Sequence, residues 1–229
     1  MKVLLFGATG MVGQGVLREC LQDPGVAEVV ALVRKPSLPQ HPKLRELVHA
    51  DFYDYRALGA DLVGFDACFF CLGVSSAGLS EAEYTRLTHD LTLAAAEALA
   101  RLNPALTFIY VSGAGTDGTE QGRSMWARVK GRTENDLRRL PFKAVHLFRP
   151  GMIQPLHGIR SRTGWYQAFY TLLRPGLPLL RRLFPKAILT TEELGRAMLR
   201  VARDGAPKAV LEAADLIALV APPGPAAAP

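Results

Sequence analysis

Apolar strands alternate with helices from the start of the sequence to Pro150, and this alternation limits the possible folds more than any other feature. Lys2–Phe6 is a short apolar run that stops at Gly7, and apolar residues at helical spacing follow over residues 11–23. Further strands are predicted at 28–33, 44–49, 67–72, 106–112 and 144–148. Runs that are apolar on both faces indicate a parallel sheet covered on both sides. Right-handed crossovers turn such a series into a doubly wound, mostly parallel α/β sheet.

The helices and the rest of the chain agree with one domain. Helices are predicted over 80–102, where Ser80 and Glu83 fit a capping box, over 122–140 and over 191–203. A short strand and helix are predicted across 208–220. We expect a single domain over residues 1–221, with its main sheet in 1–150 and a smaller part in 151–221, because 229 residues suit one domain. The Ala, Pro and Gly composition of 222–229 predicts a flexible tail.

Composition and the pattern of apolar stretches exclude several classes of protein. Hydrophobic residues make up 49% of the chain and charged residues 21%, which is typical of a folded globular protein and not of a disordered one. The apolar run that begins at Val3 breaks at Gly7, too early for a signal peptide, and no stretch is long enough for a membrane span. These observations predict a cytoplasmic protein.

Cys68 and Cys71 have the spacing of a redox or metal motif, but their context favours a buried strand. Residues three apart in a strand point to opposite faces, so the two thiols should diverge. The five histidines have no ligand spacing. We therefore expect no metal site and no disulfide.

The net charge of +6 is distributed unevenly. The stretch between Leu137 and Thr191 contains no Asp or Glu. Its cations are Arg138, Arg139, Lys143, Arg149, Arg160, Arg162, Arg174, Arg181, Arg182 and Lys186. Such an asymmetry indicates an anionic partner for this part of the chain, which could be a cofactor phosphate, an acidic substrate, a lipid headgroup or a nucleic acid.

A glycine-rich turn separates the first strand from the first helix. Glycine permits a sharp turn and lets backbone N–H groups approach a pyrophosphate, which then lies at the positive end of the helix. The spacing is G-x-x-G-x-x-G, and its position between strand and helix predicts dinucleotide binding; the alternative is a tight turn with close helix packing. The candidate cofactor-binding residues of this turn are Gly7, Ala8, Thr9, Gly10, Met11, Val12 and Gly13.

The end of the second strand indicates which nicotinamide cofactor is bound. An acidic residue there would accept hydrogen bonds from a free ribose 2′-hydroxyl. The strand instead ends with Arg34 and Lys35, two cations where a 2′-phosphate would lie. We expect NADP(H) to be preferred over NAD(H); the alternative is a solvated basic loop.

Two further strand ends supply candidate cofactor contacts. Asp51 and Phe52 follow the third strand, and Asp51 could contact the adenine edge or cap the residues that follow it. Leu72, Gly73 and Val74 end the fourth strand, where the cofactor's ribose and phosphates would pass close to the backbone.

On these residues the chain resembles the short-chain dehydrogenase/reductase superfamily, in its atypical or extended branch of small epimerase-like proteins. The similarity covers residues 1–220, and the glycine turn is its most specific motif. In that family a serine ends the fifth strand and a Tyr-x-x-x-Lys motif lies on the next helix. Ser112 and Lys130 match the serine and the lysine, so the resemblance implies that they are catalytic, and Lys130 also cofactor-binding. It further implies that the backbone at Pro150 and Gly151 meets the nicotinamide.

Trp126 stands where the family has its tyrosine, four residues before Lys130. The family's tyrosine moves the substrate proton, and an indole cannot replace it in that role. Tyr84, His157 and Tyr166 are the alternative proton donors. Two functions stay open: an NADP(H)-dependent oxidoreductase for an unknown carbonyl or alcohol, and a non-catalytic NADP(H)-binding regulatory protein. An epimerase is a weaker third interpretation.

Residues 165–184 are apolar, aromatic and cationic together. Three interpretations compete for this segment: a substrate lid or homodimer face, a membrane-surface segment, and a nucleic-acid site. Pro175 and Pro178 interrupt the helix that a membrane would favour, and no nucleic-acid motif accompanies the charge. We expect a small-molecule substrate and no nucleic acid.

Overall fold

The computed structural model of the protein describes residues 1–159 and 187–221. The strands are β1 (Lys2–Phe6), β2 (Glu28–Val33), β3 (Leu44–Val48), β4 (Ala67–Phe70), β5 (Thr107–Val111), β6 (Ala144–Arg149), β7 (Met152–Gln154), β8 (Ile188–Thr190) and β9 (Val210–Glu212). The α-helices are α1 (Met11–Gln22), α2 (Glu81–Thr85), α3 (Leu91–Leu102), α4 (Met125–Leu137), α5 (Thr191–Asp204) and α6 (Ala213–Val220). A 3-10 segment covers Arg56–Leu62.

Seven strands form one parallel sheet in the order β3-β2-β1-β4-β5-β6-β9. The order reverses direction between β1 and β4, because the chain first builds outward through β2 and β3 and then returns to the other side of β1. In such doubly wound sheets the ligand site lies beyond the carboxyl ends of the strands at this reversal. The fold class predicted from the alternation is confirmed, and Gly7 lies at the reversal.

The core has two halves, one on each face of the sheet. Val3 and Leu5 of β1 belong to one cluster of buried residues, whereas Leu4 and Phe6 belong to the other. Alternate side chains of a strand point to opposite faces, so strands apolar at every position can fill both clusters. Cys68 lies in the second cluster and Cys71 packs against the first, as their spacing predicted.

The predicted helix over 80–102 is interrupted. The capping box is present, since the Ser80 side chain accepts a hydrogen bond from the Glu83 backbone and the Glu83 side chain accepts from the Ser80 backbone. Between α2 and α3 the segment Arg86–Asp90 has π-helical hydrogen bonds. Single π turns inside helices widen one turn and are frequent at functional sites. The predicted helix over 122–140 is shorter, because Gly122 N–H donates to Asp117 Oδ2 at 2.6 Å and belongs to the preceding loop.

A second, two-stranded sheet was not predicted. Met152–Gln154 of β7 pairs in parallel with Ile188–Thr190 of β8. Strands of three residues carry too little alternation to be recognised in a sequence. Thr190 then caps α5 through a second capping box with Glu193.

Several predictions fall outside the described residues. These are the basic aromatic segment 165–184, Tyr166 and the tail 222–229. In the residues that are described, no helix is both long and apolar enough to cross a membrane.

Candidate nucleotide-binding and catalytic site

The glycine turn after β1 is in close backbone contact with the end of β4 on one side and with the first turns of α1 on the other. Gly7 has φ +79°, and a Cβ there would lie 2.7 Å from the backbone of Cys71 and Leu72 at the end of β4. A Cβ on Gly13 would lie 2.0 Å from the Gly7 carbonyl oxygen. Both distances are far below van der Waals contact, so side chains at these two positions would force the turn, β4 and α1 apart.

The N-terminus of α1 has no side chain to satisfy it. Gly10 is the N-cap, and the first turn holds no acidic residue. The Gly10 N–H donates to the Gly7 carbonyl oxygen at 2.9 Å, which closes the turn and leaves the following N–H groups without intrahelical acceptors. By contrast, Ser80 and Thr190 cap α2 and α5 with their own side chains. The turn is thus a narrow cradle of backbone N–H groups at a positive helix end, which fits a pyrophosphate.

The other residues predicted for this turn lie around that cradle. Ala8 is buried, and Thr9, Met11 and Val12 are partly exposed. The Thr9 carbonyl accepts a hydrogen bond from Gln14 Nε2 at 3.0 Å, so the turn is tied to the first turn of α1.

Arg34 and Lys35 are exposed at the carboxyl end of β2. Across residues 1–159 and 187–221, neither cation has a carboxylate within ion-pair distance. The next acid along the chain, Glu46 of β3, instead accepts hydrogen bonds from the backbone N–H groups of Ser37 and Leu38 at 2.9 and 3.0 Å. Both cations therefore remain available to an anionic group of a ligand.

The ends of β3 and β4 differ from expectation at one position. Asp51 is exposed, and its Oδ1 accepts a hydrogen bond from the Tyr53 N–H at 2.9 Å, so it does cap the turn that follows. The Phe52 side chain is buried in the core and meets Phe6 edge-on, with ring centroids 6.3 Å apart. Phe52 therefore stays a predicted cofactor-binding residue only through its backbone.

The end of β4 is open. Leu72 is partly buried, whereas Gly73 and Val74 are exposed next to the glycine turn. At the end of β6, Pro150 is buried and its carbonyl accepts a hydrogen bond from the Ala114 N–H at 2.9 Å. Gly151 is exposed there.

Ser112 and Lys130 lie together at the carboxyl end of β5. Lys130 Nζ donates a hydrogen bond to the Ser112 carbonyl oxygen at 2.7 Å. Burial lowers the pKa of Lys130 to about 8, and the nearby Glu134 carboxylate opposes the shift. The Ser112 hydroxyl does not contact the lysine. It donates to Glu134 Oε1 at 2.5 Å.

Trp126 occupies α4 one turn before Lys130, and its ring lies against the loop after β5: a Cβ on Gly115 would be 3.5 Å from the indole. The alternative donors are poorly suited. Tyr84 is only 2% exposed, and His157 Nε2 is 3.0 Å from Glu192 Oε2. Tyr166 lies outside the described residues. The imidazole of His157 is thus engaged by Glu192, and the phenol of Tyr84 is almost closed to solvent.

Sequence reasoning missed the buried ion pair beside Ser112. Glu134 is 1% exposed and forms two hydrogen bonds with Arg149, Nε to Oε1 at 3.0 Å and Nη2 to Oε2 at 2.5 Å. Arg149 Nη1 also lies 3.3 Å from Glu212 Oε1. The signal was the spacing of Lys130 and Glu134, four apart on one helix face. The surplus of cations after Leu137 is correspondingly smaller than the sequence suggested, because Arg149 is used internally.

The fold and this site together define a dinucleotide-binding α/β protein. A family model described as NAD(P)H-binding matches residues 7–146, and the chain belongs to this family. The chain is 31% identical to the mitochondrial protein FMP52 of Saccharomyces cerevisiae over 166 residues, which is 71% of this chain and 69% of FMP52. Across the first curated relatives the chain spans about two thirds of their length.

Solved structures agree on the fold. The Bordetella bronchiseptica enzyme WbmF in complex with NAD+ superposes with a TM-score of 0.63 at 16% identity, covering 95% of this chain and 76% of WbmF. A UDP-galactose 4-epimerase gives a TM-score of 0.63 at 16% identity, covering 93% of this chain and 76% of the epimerase. These structures show that the chain has the fold of NAD-binding α/β proteins, and the family model shows that it belongs to an NAD(P)H-binding family.

The predicted cytoplasmic location is wrong. FMP52 and several of its fungal counterparts are named as mitochondrial proteins. The prediction depended on the lengths of apolar stretches, which bear on secretion and membrane insertion and do not distinguish the cytoplasm from an organelle.

Proposed function

We propose that the protein is an NADP(H)-dependent oxidoreductase of the atypical short-chain type, acting on a carbonyl or alcohol group of a small molecule. One observation carries this proposal: the backbone cradle at Gly7 to Gly13 lies at the reversal of the strand order, and the end of β2 carries two exposed cations that form no ion pair within the described part of the chain. The cradle fits a pyrophosphate, and Arg34 with Lys35 fits a 2′-phosphate.

The chain's own residues have distinct roles in this proposal. A bound nicotinamide dinucleotide supplies or accepts a hydride. The N-terminus of α1 holds the pyrophosphate, and Arg34 with Lys35 selects the phosphorylated ribose. Ser112 and Lys130 lie at the carboxyl end of β5, on the same edge of the sheet as the glycine turn, where the nicotinamide end and the substrate would meet.

Trp126 supports a second function, a non-catalytic NADP(H)-binding regulatory protein. A positioned acid–base group contributes roughly 10² to 10⁴ in rate, and the indole cannot supply it. Such a protein would bind the cofactor at the same cradle and respond to its redox state without turnover.

Two measurements separate these functions. Calorimetric titration with NADPH, with NADH as the comparator, tests cofactor binding; equal affinities would refute the preference for NADPH. Oxidation of NADPH is then followed across a broad panel of carbonyl compounds and quinones. Turnover supports the oxidoreductase, whereas tight NADPH binding without turnover by either the parent or Trp126→Tyr supports the regulatory protein.

A further inference from the structure

The hydroxyl proton of Ser112 is directed into the protein and not toward the cleft. Ser112 Oγ donates to Glu134 Oε1 at 2.5 Å and lies 3.2 Å from the Phe148 carbonyl oxygen. Both neighbours are acceptors. A hydroxyl has one proton to donate and lone pairs to accept with, so the single proton is already used.

Glu134 accepts three hydrogen bonds, one from Ser112 and two from Arg149. The two hydrogen bonds from Arg149 stabilise its carboxylate charge, and Glu134 is almost fully buried. A charge-assisted bond to a carboxylate is roughly twice as strong as one between neutral groups. A ligand carbonyl, which needs a donor, would have to take the proton away from this bond.

Within residues 1–159 and 187–221, no hydrogen-bond donor is directed at the lone pairs of Ser112 Oγ. Lys130 Nζ donates to the backbone carbonyl oxygen of Ser112 and leaves the side-chain oxygen alone. Ser112 is itself partly exposed at the carboxyl end of β5. A ligand that approaches from the cleft therefore meets an acceptor.

We propose that Ser112 binds its ligand as a hydrogen-bond acceptor, with Glu134 as the positioning residue that fixes the hydroxyl proton inward. The ligand group at this point is then a donor, an alcohol hydroxyl and not a carbonyl oxygen. This inference rests on the proposed function, which it narrows to a site that favours the alcohol over the ketone.

Glu134→Gln tests the positioning role with little change in volume. Glu134 Oε1 accepts from both Ser112 Oγ and Arg149 Nε, and Oε2 accepts from Arg149 Nη2, so the single oxygen of glutamine can fill only one of these two places. With the amide oxygen at the Oε2 place, the NH₂ group faces Ser112 Oγ and the serine proton is released toward the ligand. With the amide oxygen at the Oε1 place, Ser112 still donates to it, but the bond loses its carboxylate charge and weakens. Glu212→Gln is the matched control, because it removes a carboxylate from the same Arg149 without contacting Ser112.

The ligands are chosen so that neither can react. The protein is loaded with NADP+, and dissociation constants are measured by ligand-observed NMR for tert-butanol and acetone, and for cumyl alcohol and acetophenone. A tertiary alcohol cannot be oxidised, and a ketone cannot be reduced by the oxidised cofactor. Calorimetric titration with NADP+ on the same samples tests the proposed function separately.

We expect the parent and Glu212→Gln to bind the alcohol of each pair about tenfold more tightly than the ketone, since one satisfied hydrogen bond near a charge is worth about this much. Glu134→Gln should reduce or reverse this preference, and Ser112→Ala should lose it. In the parent, a slowly exchanging hydroxyl proton should appear in the ¹H NMR spectrum and disappear in Ser112→Ala.

Four results would overturn the inference while NADP+ still binds: a preference of the parent for the ketones, equal affinities of the parent for both, binding of no probe, or an alcohol preference that Glu134→Gln leaves undiminished. If Glu134→Gln does not fold, the parent affinities, Ser112→Ala and the hydroxyl resonance decide. A protein that binds neither NADP+ nor NADPH refutes the proposed function itself.

Discussion

Gly13→Ala should destabilise the protein because of one contact. The added Cβ would lie 2.0 Å from the Gly7 carbonyl oxygen and 2.6 Å from the Gly7 carbonyl carbon. The obstacle is backbone, so no side chain can rotate away, and α1 must move until the 2.0 Å approach reaches the 3.4 Å of ordinary contact. Overpacking of this kind typically costs about 1–3 kcal/mol, and an overlap with backbone belongs at the upper end of that range.

Gly10→Ala is the matched control in the same turn. Its Cβ would lie 3.4 Å from the same Gly7 carbonyl oxygen, which is an acceptable contact, and Gly10 has φ −81°. Alanine at an N-cap is less favourable than glycine, so we expect a loss of about 1 kcal/mol or less in the free energy of unfolding. Its main effect should be on cofactor affinity, because the added methyl group lies where backbone and pyrophosphate would approach.

Urea unfolding followed by circular dichroism measures both variants. We expect Gly13→Ala to lose about 3 kcal/mol, which for a domain of this size lowers Tm by about 6–12 °C. A Gly13→Ala variant as stable as Gly10→Ala would refute the close packing of α1 on the turn, and with it the geometry of the cradle.

Three further variants test the predicted cofactor-binding residues and the predicted catalytic residues separately. Arg34→Glu should weaken the binding of NADPH by about tenfold or more and the binding of NADH much less, as measured by calorimetry. The control Arg101→Glu, at the opposite edge of the sheet, should change the affinity for neither cofactor. Equal losses of affinity for both cofactors would contradict the role of Arg34. Lys130 has a pKa of about 8 in the folded protein and a higher pKa in the unfolded chain, so the unfolded chain binds more protons between these two values. The free energy of unfolding should therefore rise by up to about 3 kcal/mol as the pH increases from 8 toward 10.5, and Lys130→Met should remove this rise. An unchanged pH dependence in the variant would show that the lysine is not buried as described. Trp126→Tyr should raise the rate of NADPH-dependent carbonyl reduction by about tenfold or more. An unchanged rate for every compound of the panel would count against an enzyme that lacks only its proton donor.

The sequence predicted the main sheet because each of its inner strands is apolar on both faces. Leu4 and Leu5 point to opposite sides and both are buried, which is the condition that makes a parallel strand recognisable. The capping box at Ser80 was also recognisable, because its two residues, Ser80 and Glu83, are only three apart in the sequence. The pair of β7 and β8 was not, because three-residue strands carry no periodicity and their pairing depends on residues about 35 apart.

The candidate site was predictable where its residues act through the backbone. Gly7 and Gly13 are required by contacts of 2.7 and 2.0 Å that only glycine permits, and the spacing of the glycines reflects this. Glu134 and Arg149 escaped prediction because they meet only in three dimensions, from α4 and β6. The position of Phe52 after β3 predicted a ligand contact but not the place of its ring, which is determined by packing on Phe6.

The central claim is that the glycine turn and the cations after β2 bind NADP(H). The most direct test is a calorimetric titration of the purified protein with NADPH and with NADH. We predict micromolar or tighter binding of NADPH and clearly weaker binding of NADH. Equal affinities would contradict the role of Arg34 and Lys35, and binding of neither cofactor would contradict the account as a whole.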